Sequence, residues 1–99
     1  MITSVLNKGL KLTFKNGITI SIQIGTVNYC ERKNNLSKYR SEMDLAEVSS
    51  KDAEIAIWDK RGKWHSFGED TVKGWIESDE IAVWIEKCKN AKNIKDIKN

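Results

Sequence analysis

The chain has no proline, only two cysteines and a single histidine in 99 residues. Each absence excludes something. Cys30 and Cys88 are too few for a disulfide scaffold, although one bridge is arithmetically open. With no Cys-x-x-Cys and only His65 to offer an imidazole, no structural zinc site is expected. No apolar run approaches the ~18 residues that a membrane-spanning helix needs. Met1-Ile2-Thr3-Ser4-Val5 has no basic stretch before an apolar core, so no signal peptide is expected. These readings predict a cytoplasmic protein with free thiols, no metal and no membrane partner. Glycine-rich phosphate loops of the P-loop or dinucleotide kind are also missing. Without proline, internal repeats or a Gly/Ser linker, the chain reads as one domain. A chain of this length buries roughly 60–65% of its unfolded surface, which leaves little room for a deep substrate cavity.

The small net charge of +3 hides a strong asymmetry. Residues 53–86 carry four basic and eight acidic side chains, whereas residues 87–99 carry five basic and one acidic. An acidic middle argues against a dedicated duplex-DNA binder, which needs one continuous basic face.

What is present is alternation. Leu10, Leu12 and Phe14 alternate with Lys11, Thr13 and Lys15; Ile18, Ile20, Ile22 and Ile24 alternate with Thr19, Ser21 and Gln23. Period two is the signature of half-buried strands. A two-residue Asn16-Gly17 turn would put the two apolar sets on opposite faces. A three-residue loop, Lys15-Asn16-Gly17, pairs Phe14 with Ile18, Leu12 with Ile20 and Leu10 with Ile22, with Gly17 in the left-handed position, so this register is predicted. A second hairpin is predicted from Ala53 to Phe67, with Asp59-Lys60-Arg61-Gly62 as a type I turn and Trp64 to Phe67 as the return. Trp58 then sits opposite Lys63 or Trp64. Residues 31–52 read as a long polar connection with a weak helix signal at Ser41 and Asp44, and such connections are usually functional or mobile.

Ser78 reads as an N-cap, followed by Asp79 and Glu80 in the first helical turn. Ile81, Trp84, Ile85 and Cys88 then form one stripe at i, i+3, i+4 and i+7, giving a helix from Asp79 to about Lys89. The predicted fold class is α+β: a small, mostly antiparallel sheet of two β-hairpins (four to five strands, Thr71 to Ile76 the fifth) packed by one C-terminal α-helix. The domain spans residues 1–90, and the Lys/Asn-rich residues 91–99 are expected to form a flexible tail. Free sheet edges favour homo-oligomerisation.

Three groups of residues invite a chemical reading. Cys30, with Arg32 or Lys33 to lower its pKa and His65 as base, would be a nucleophile; nothing in the spacing ties the two together, and a packed loop cysteine is the plainer account. Glu69-Asp70 and Glu77, Asp79, Glu80 flank Trp75, but a turn acid and a helix start explain them without a cation. The third group carries more. Trp58, Lys60, Arg61, Lys63 and Trp64 interleave aromatics with cations around one turn, the pattern of a stacking-and-phosphate clamp. Four tryptophans are more than one small core can hold, so at least one of Trp58, Trp64 and Trp75 is expected at the surface, where tryptophan is favoured in binding hot spots.

The strings Asn16-Gly17-Ile18-Thr19-Ile20-Ser21-Ile22-Gln23-Ile24-Gly25, Asn28-Tyr29-Cys30, Asp52-Ala53-Glu54-Ile55-Ala56-Ile57-Trp58, Asp70-Thr71-Val72-Lys73-Gly74-Trp75 and Ser78-Asp79-Glu80-Ile81 resemble small accessory proteins of unknown function carried by tailed phages and prophages. Residues 31–50 and the tail fall outside the likeness. The resemblance implies a non-enzymatic, cofactor-free protein. It would bind and inhibit a host bacterial component, such as a CRISPR effector or a nucleotide-signalling defence. The alternative is a module that sequesters a nucleotide or single-stranded nucleic acid. On either reading the expected contact residues are Tyr29, Arg32, Trp58, Lys60, Arg61, Trp64 and Trp75.

Overall fold

The computed structural model describes residues 1–5, 9–24 and 49–99. Five strands form one antiparallel sheet in chain order: β1 (Ile2–Val5), β2 (Gly9–Thr13), β3 (Thr19–Gln23), β4 (Asp52–Trp58) and β5 (Val72–Glu77). The α-helix α1 (Ser78–Asn90) follows β5 without a loop, and a short 3-10 turn covers Ile94–Asp96. The small α+β class expected from the alternating strands and the capped stripe is the one observed.

The β2–β3 hairpin adopts the three-residue loop. Leu12 pairs with Ile20 and Leu10 with Ile22. The Phe14 amide donates to the Ile18 carbonyl, and Gly17 sits at φ 85°, where an L side chain would be strained. This register puts Leu12, Ile18, Ile20 and Ile22 on one face. Gly9 permits the close approach of the two strands: a Cβ there would collide with the Ile22 carbonyl and the Gln23 Cα.

That face meets the helix. Ile18, Ile20, Ile55, Ile57 and Ile76 from the sheet pack with Trp84 and Cys88 from α1, and Ile81 and Ile85 close the margin of the stripe. Ser78, expected as the N-cap, is instead the first helical residue. Glu77 holds the cap position in extended backbone and makes no side-chain cap bond, because strand β5 leads straight into the helix.

The second hairpin differs from expectation. Past the Asp59–Gly62 turn, Trp64 makes a single bridge to Trp58, and the chain then leaves the sheet. The reason is side-chain direction. His65 and Phe67, two residues apart, turn inward: Phe67 packs edge-on against His65 and Trp84, and the His65 ring lies tilted against Trp84. A turn follows in which the Phe67 amide donates to the Asp70 carbonyl, and Val72–Glu77 takes the place beside β4. The fifth segment is thus the true partner of β4. At its centre Gly74 and Trp75 stand against the single residue Glu54, a bulge. An edge strand at the N-terminus, β1, was carried by no predicted pattern: its four residues hold only two strong apolars, Ile2 and Val5.

The tail also differs. Ile94 and Ile97 are buried in the core, and Asn93 and Asp96 close a reciprocal capping box around the 3-10 turn. Residues 91–99 are a docked segment. The composition is Lys/Asn-rich, but the two isoleucines are spaced i, i+3, which on a helical turn puts both on one face. The His65 imidazole is hydrogen-bonded through Nε2 to Asn99 Oδ1 at 2.7 Å, and the Lys87 ammonium donates to the Lys98 carbonyl.

One polar residue joins the two halves. Asn16, at the hairpin tip, donates its amide to the carbonyls of Cys88 (2.7 Å) and Ala91 (2.8 Å), while its Oδ1 accepts from the Ile18 amide (3.0 Å). Carbonyls in the last turn of a helix lack intrahelical partners. The hairpin turn supplies them here.

Candidate functional site

The sheet face away from the helix carries Lys11, Thr13, Thr19, Ser21, Gln23, Glu54, Ala56 and Trp58, since cross-strand partners share a side. Its small residues form a floor: the Thr13 and Thr19 hydroxyls are hydrogen-bonded, and Gln23 donates to Ser21. A groove of about 440 Å³ crosses it, walled by Trp58 and Trp64 and bordered by Lys11, Glu54 and Val72. Trp58 and Trp64 stack with centroids 4.9 Å apart and planes tilted by 31°. The Lys11 ammonium lies 5.6 Å from the Trp58 ring, a cation–π contact. Trp58 is half-buried, and Trp64 keeps 46% of its surface in solvent.

The tip between these tryptophans is tightly built. Asp59 Oδ1 accepts from the amides of Arg61 and Lys63, both at 2.9 Å, and the Gly62 amide closes the turn on the Asp59 carbonyl. This is the Asp-first, Gly-fourth turn that the sequence predicted. Lys60, Arg61 and Lys63 are exposed on it. The cations face a different space from the stacked rings. Together with Asn16, Lys92 and Lys95 they line a cleft of about 470 Å³ at the end of the sheet, between the two hairpin tips and the docked tail.

The structure therefore gathers Trp58 with Trp64, and Lys60 with Arg61, but it does not form one cluster of all the predicted residues. Trp75 stands beside Glu54, four residues along β4 from Trp58, which is about 13 Å at ~3.3 Å per residue. It is 55% exposed with φ 59°, a left-handed conformation that is rare for a bulky side chain and costs about 1–3 kcal/mol. Tyr29 and Arg32 lie outside the described residues, as does Cys30. Sequence reasoning missed Lys11, whose place in the strand alternation already put it on the face of Trp58. It also missed Lys92 and Lys95, which reach the cleft because Ile94 and Ile97 are anchored.

Two of the remaining candidates for chemistry, His65 and Asp70, have structural roles. His65 is buried between Phe67 and Trp84 and bonded to Asn99. Cys88 is a free, buried thiol, pushed up to about 12 by burial, and so has no thiolate to offer at neutral pH. Asp70 accepts from the amides of Thr71 and Val72. Among the described residues no three His, Cys, Asp or Glu side chains are grouped to hold a metal ion, and no helix is long and apolar enough to cross a membrane.

Comparison with protein-family models, with curated proteins and with solved structures finds no match.

Proposed function

We propose that this protein is a non-enzymatic binder of the phage-accessory kind, which captures a host bacterial component, such as a CRISPR or nucleotide-signalling defence component, and inhibits it stoichiometrically. The observation that carries the reading is Trp64, half in solvent yet held in place by its stack on Trp58. A large ring presented rigidly loses little conformational freedom on binding, the property that makes tryptophan a hot-spot residue. The small-residue floor beside it and the Lys11 rim complete an aromatic surface with polar borders. The test is native mass spectrometry of the tagged protein purified from a bacterial lysate, run beside Trp64→Ala. A host protein retained at defined stoichiometry by the wild type and lost from the variant supports the reading. Equal retention by both removes Trp64 from the contact surface.

A second reading, capture of a nucleotide or of single-stranded nucleic acid, is favoured by one specific observation. Five cations surround the cleft next to the tryptophan hairpin with one carboxylate among them.

A further inference from the structure

The cleft at the sheet end has the makings of an anion site in its own right. Lys60, Arg61 and Lys63 enter it from the β4 turn, and Lys92 and Lys95 from the docked tail. None of the five forms an ion pair among the described residues. Asp59 is the one acidic side chain in the lining, and its Oδ1 already serves the Arg61 and Lys63 amides. Like charges gathered without counter-charge repel one another and raise the energy of the folded state, and a bound anion relieves that cost.

The framework behind the cations is fixed. The β4 turn is closed by backbone bonds at both ends, Asp59 to Lys63 and Gly62 to Asp59. The tail is held by the capping box and by Ile94 and Ile97 in the core. The end of α1 would ordinarily turn its partial negative charge towards this region. Asn16 offsets this by donating to the Cys88 and Ala91 carbonyls there. The Lys60 stem passes beside Gly17, where an added Cβ would meet its Cδ at 3.2 Å.

We infer that this cleft binds the phosphate chain of a di- or triphosphate. The volume lies in the range of small-molecule sites. Five cations against one carboxylate match the high charge density of such a chain. The Arg61 fork and the four lysine ammoniums are the donors that phosphate oxygens take. A long nucleic-acid strand needs an extended basic track, whereas here Glu54 borders the groove on the far side of the turn and the five cations converge on one cleft. The inference rests on the second reading above and is independent of the first.

The probe is sodium tripolyphosphate, titrated calorimetrically at low salt into wild type, an Arg61→Gln/Lys95→Gln double variant and Trp64→Ala, with a nucleoside triphosphate and an oligothymidylate as parallel ligands. Both substituted cations are exposed, so the double variant is expected to fold, and circular dichroism checks this. Tripolyphosphate binds wild type and Trp64→Ala equally, and its affinity falls by about a hundredfold in the double variant, tenfold for each charge-assisted bond. A nucleoside triphosphate that binds tighter than tripolyphosphate identifies a nucleotide as the source of the chain. Equal affinities identify a free polyphosphate. The inference is overturned if neither ligand binds, or if both bind the double variant as well as wild type. It is also overturned if only the oligothymidylate binds and Trp64→Ala abolishes it, an outcome that would leave the second reading standing on the tryptophan face.

Discussion

Removing the Asn16 side chain should unfasten the helix from the hairpin. Its amide and carbonyl make three hydrogen bonds at 2.7, 2.8 and 3.0 Å, two of them to carbonyls 72 and 75 residues away. A hydrogen bond is worth about 1 kcal/mol net, and a stranded buried partner costs about 1–3. The sites are part-buried, so water can replace some of the loss, and Asn16→Ala is expected to cost about 2 kcal/mol. For a domain of this size that lowers Tm by about 8–16 °C. Asn16→Asp is the sharper variant. It keeps the acceptor for the Ile18 amide but turns carboxylate oxygens towards two carbonyls at the negative end of the helix, and should cost at least as much as alanine. Urea unfolding followed by circular dichroism reads both. An Asn16→Ala loss below about 0.5 kcal/mol, or an aspartate variant milder than the alanine one, would refute the clamp.

The docked tail predicts that Ile97→Ala costs about 2–4 kcal/mol, as for any fully packed isoleucine; a loss within about 0.5 kcal/mol on urea unfolding would mean that the segment is not anchored. Cys88 should be inert to a thiol-exchange reagent at neutral pH in the native protein and react only on unfolding. Because its pKa rises from 9.0 unfolded to about 12 folded, the protonated thiol stabilises the fold fully below pH 9, and this contribution is lost as pH rises through that window. Wild type should therefore lose stability between pH 9 and 12 faster than Cys88→Ala, and parallel curves would contradict the burial. Trp75→Gly should change stability by no more than about 1 kcal/mol, since relief of the strained φ 59° offsets the loss of the half-buried ring; a larger destabilisation on thermal melting would show that the backbone there is not strained.

The elements that could be read from the sequence are those whose periodicity and turn chemistry agree. The Leu10–Ile22 hairpin is one, because only one loop length puts both apolar sets on one face. The Ile81–Cys88 stripe is another. The second hairpin misled because Trp64 to Phe67 is aromatic and strand-like. The inward pull of His65 and Phe67 towards Trp84 is a tertiary effect, and local pattern does not record it. The tail misled in the opposite way, through composition: three lysines and two asparagines drew attention away from Ile94 and Ile97. The site shows the same division. The Asp59 turn follows from local sequence; the tryptophan count predicted only that at least one of Trp58, Trp64 and Trp75 is exposed, and the structure exposes Trp64 and Trp75. The separation of the rings from the cations depends on which side of the turn each occupies, and the role of Lys92 and Lys95 depends on where the tail docks.

The central claim is that Trp64 anchors a binding surface and contributes little to the core. It is tested most directly by the affinity of wild type and Trp64→Ala for the purified host component, measured by titration calorimetry with Tm recorded alongside. The account predicts a loss of about thirtyfold or more, the scale of a hot-spot tryptophan, with Tm nearly unchanged. Equal affinities, or a binding loss that only accompanies unfolding, would contradict it.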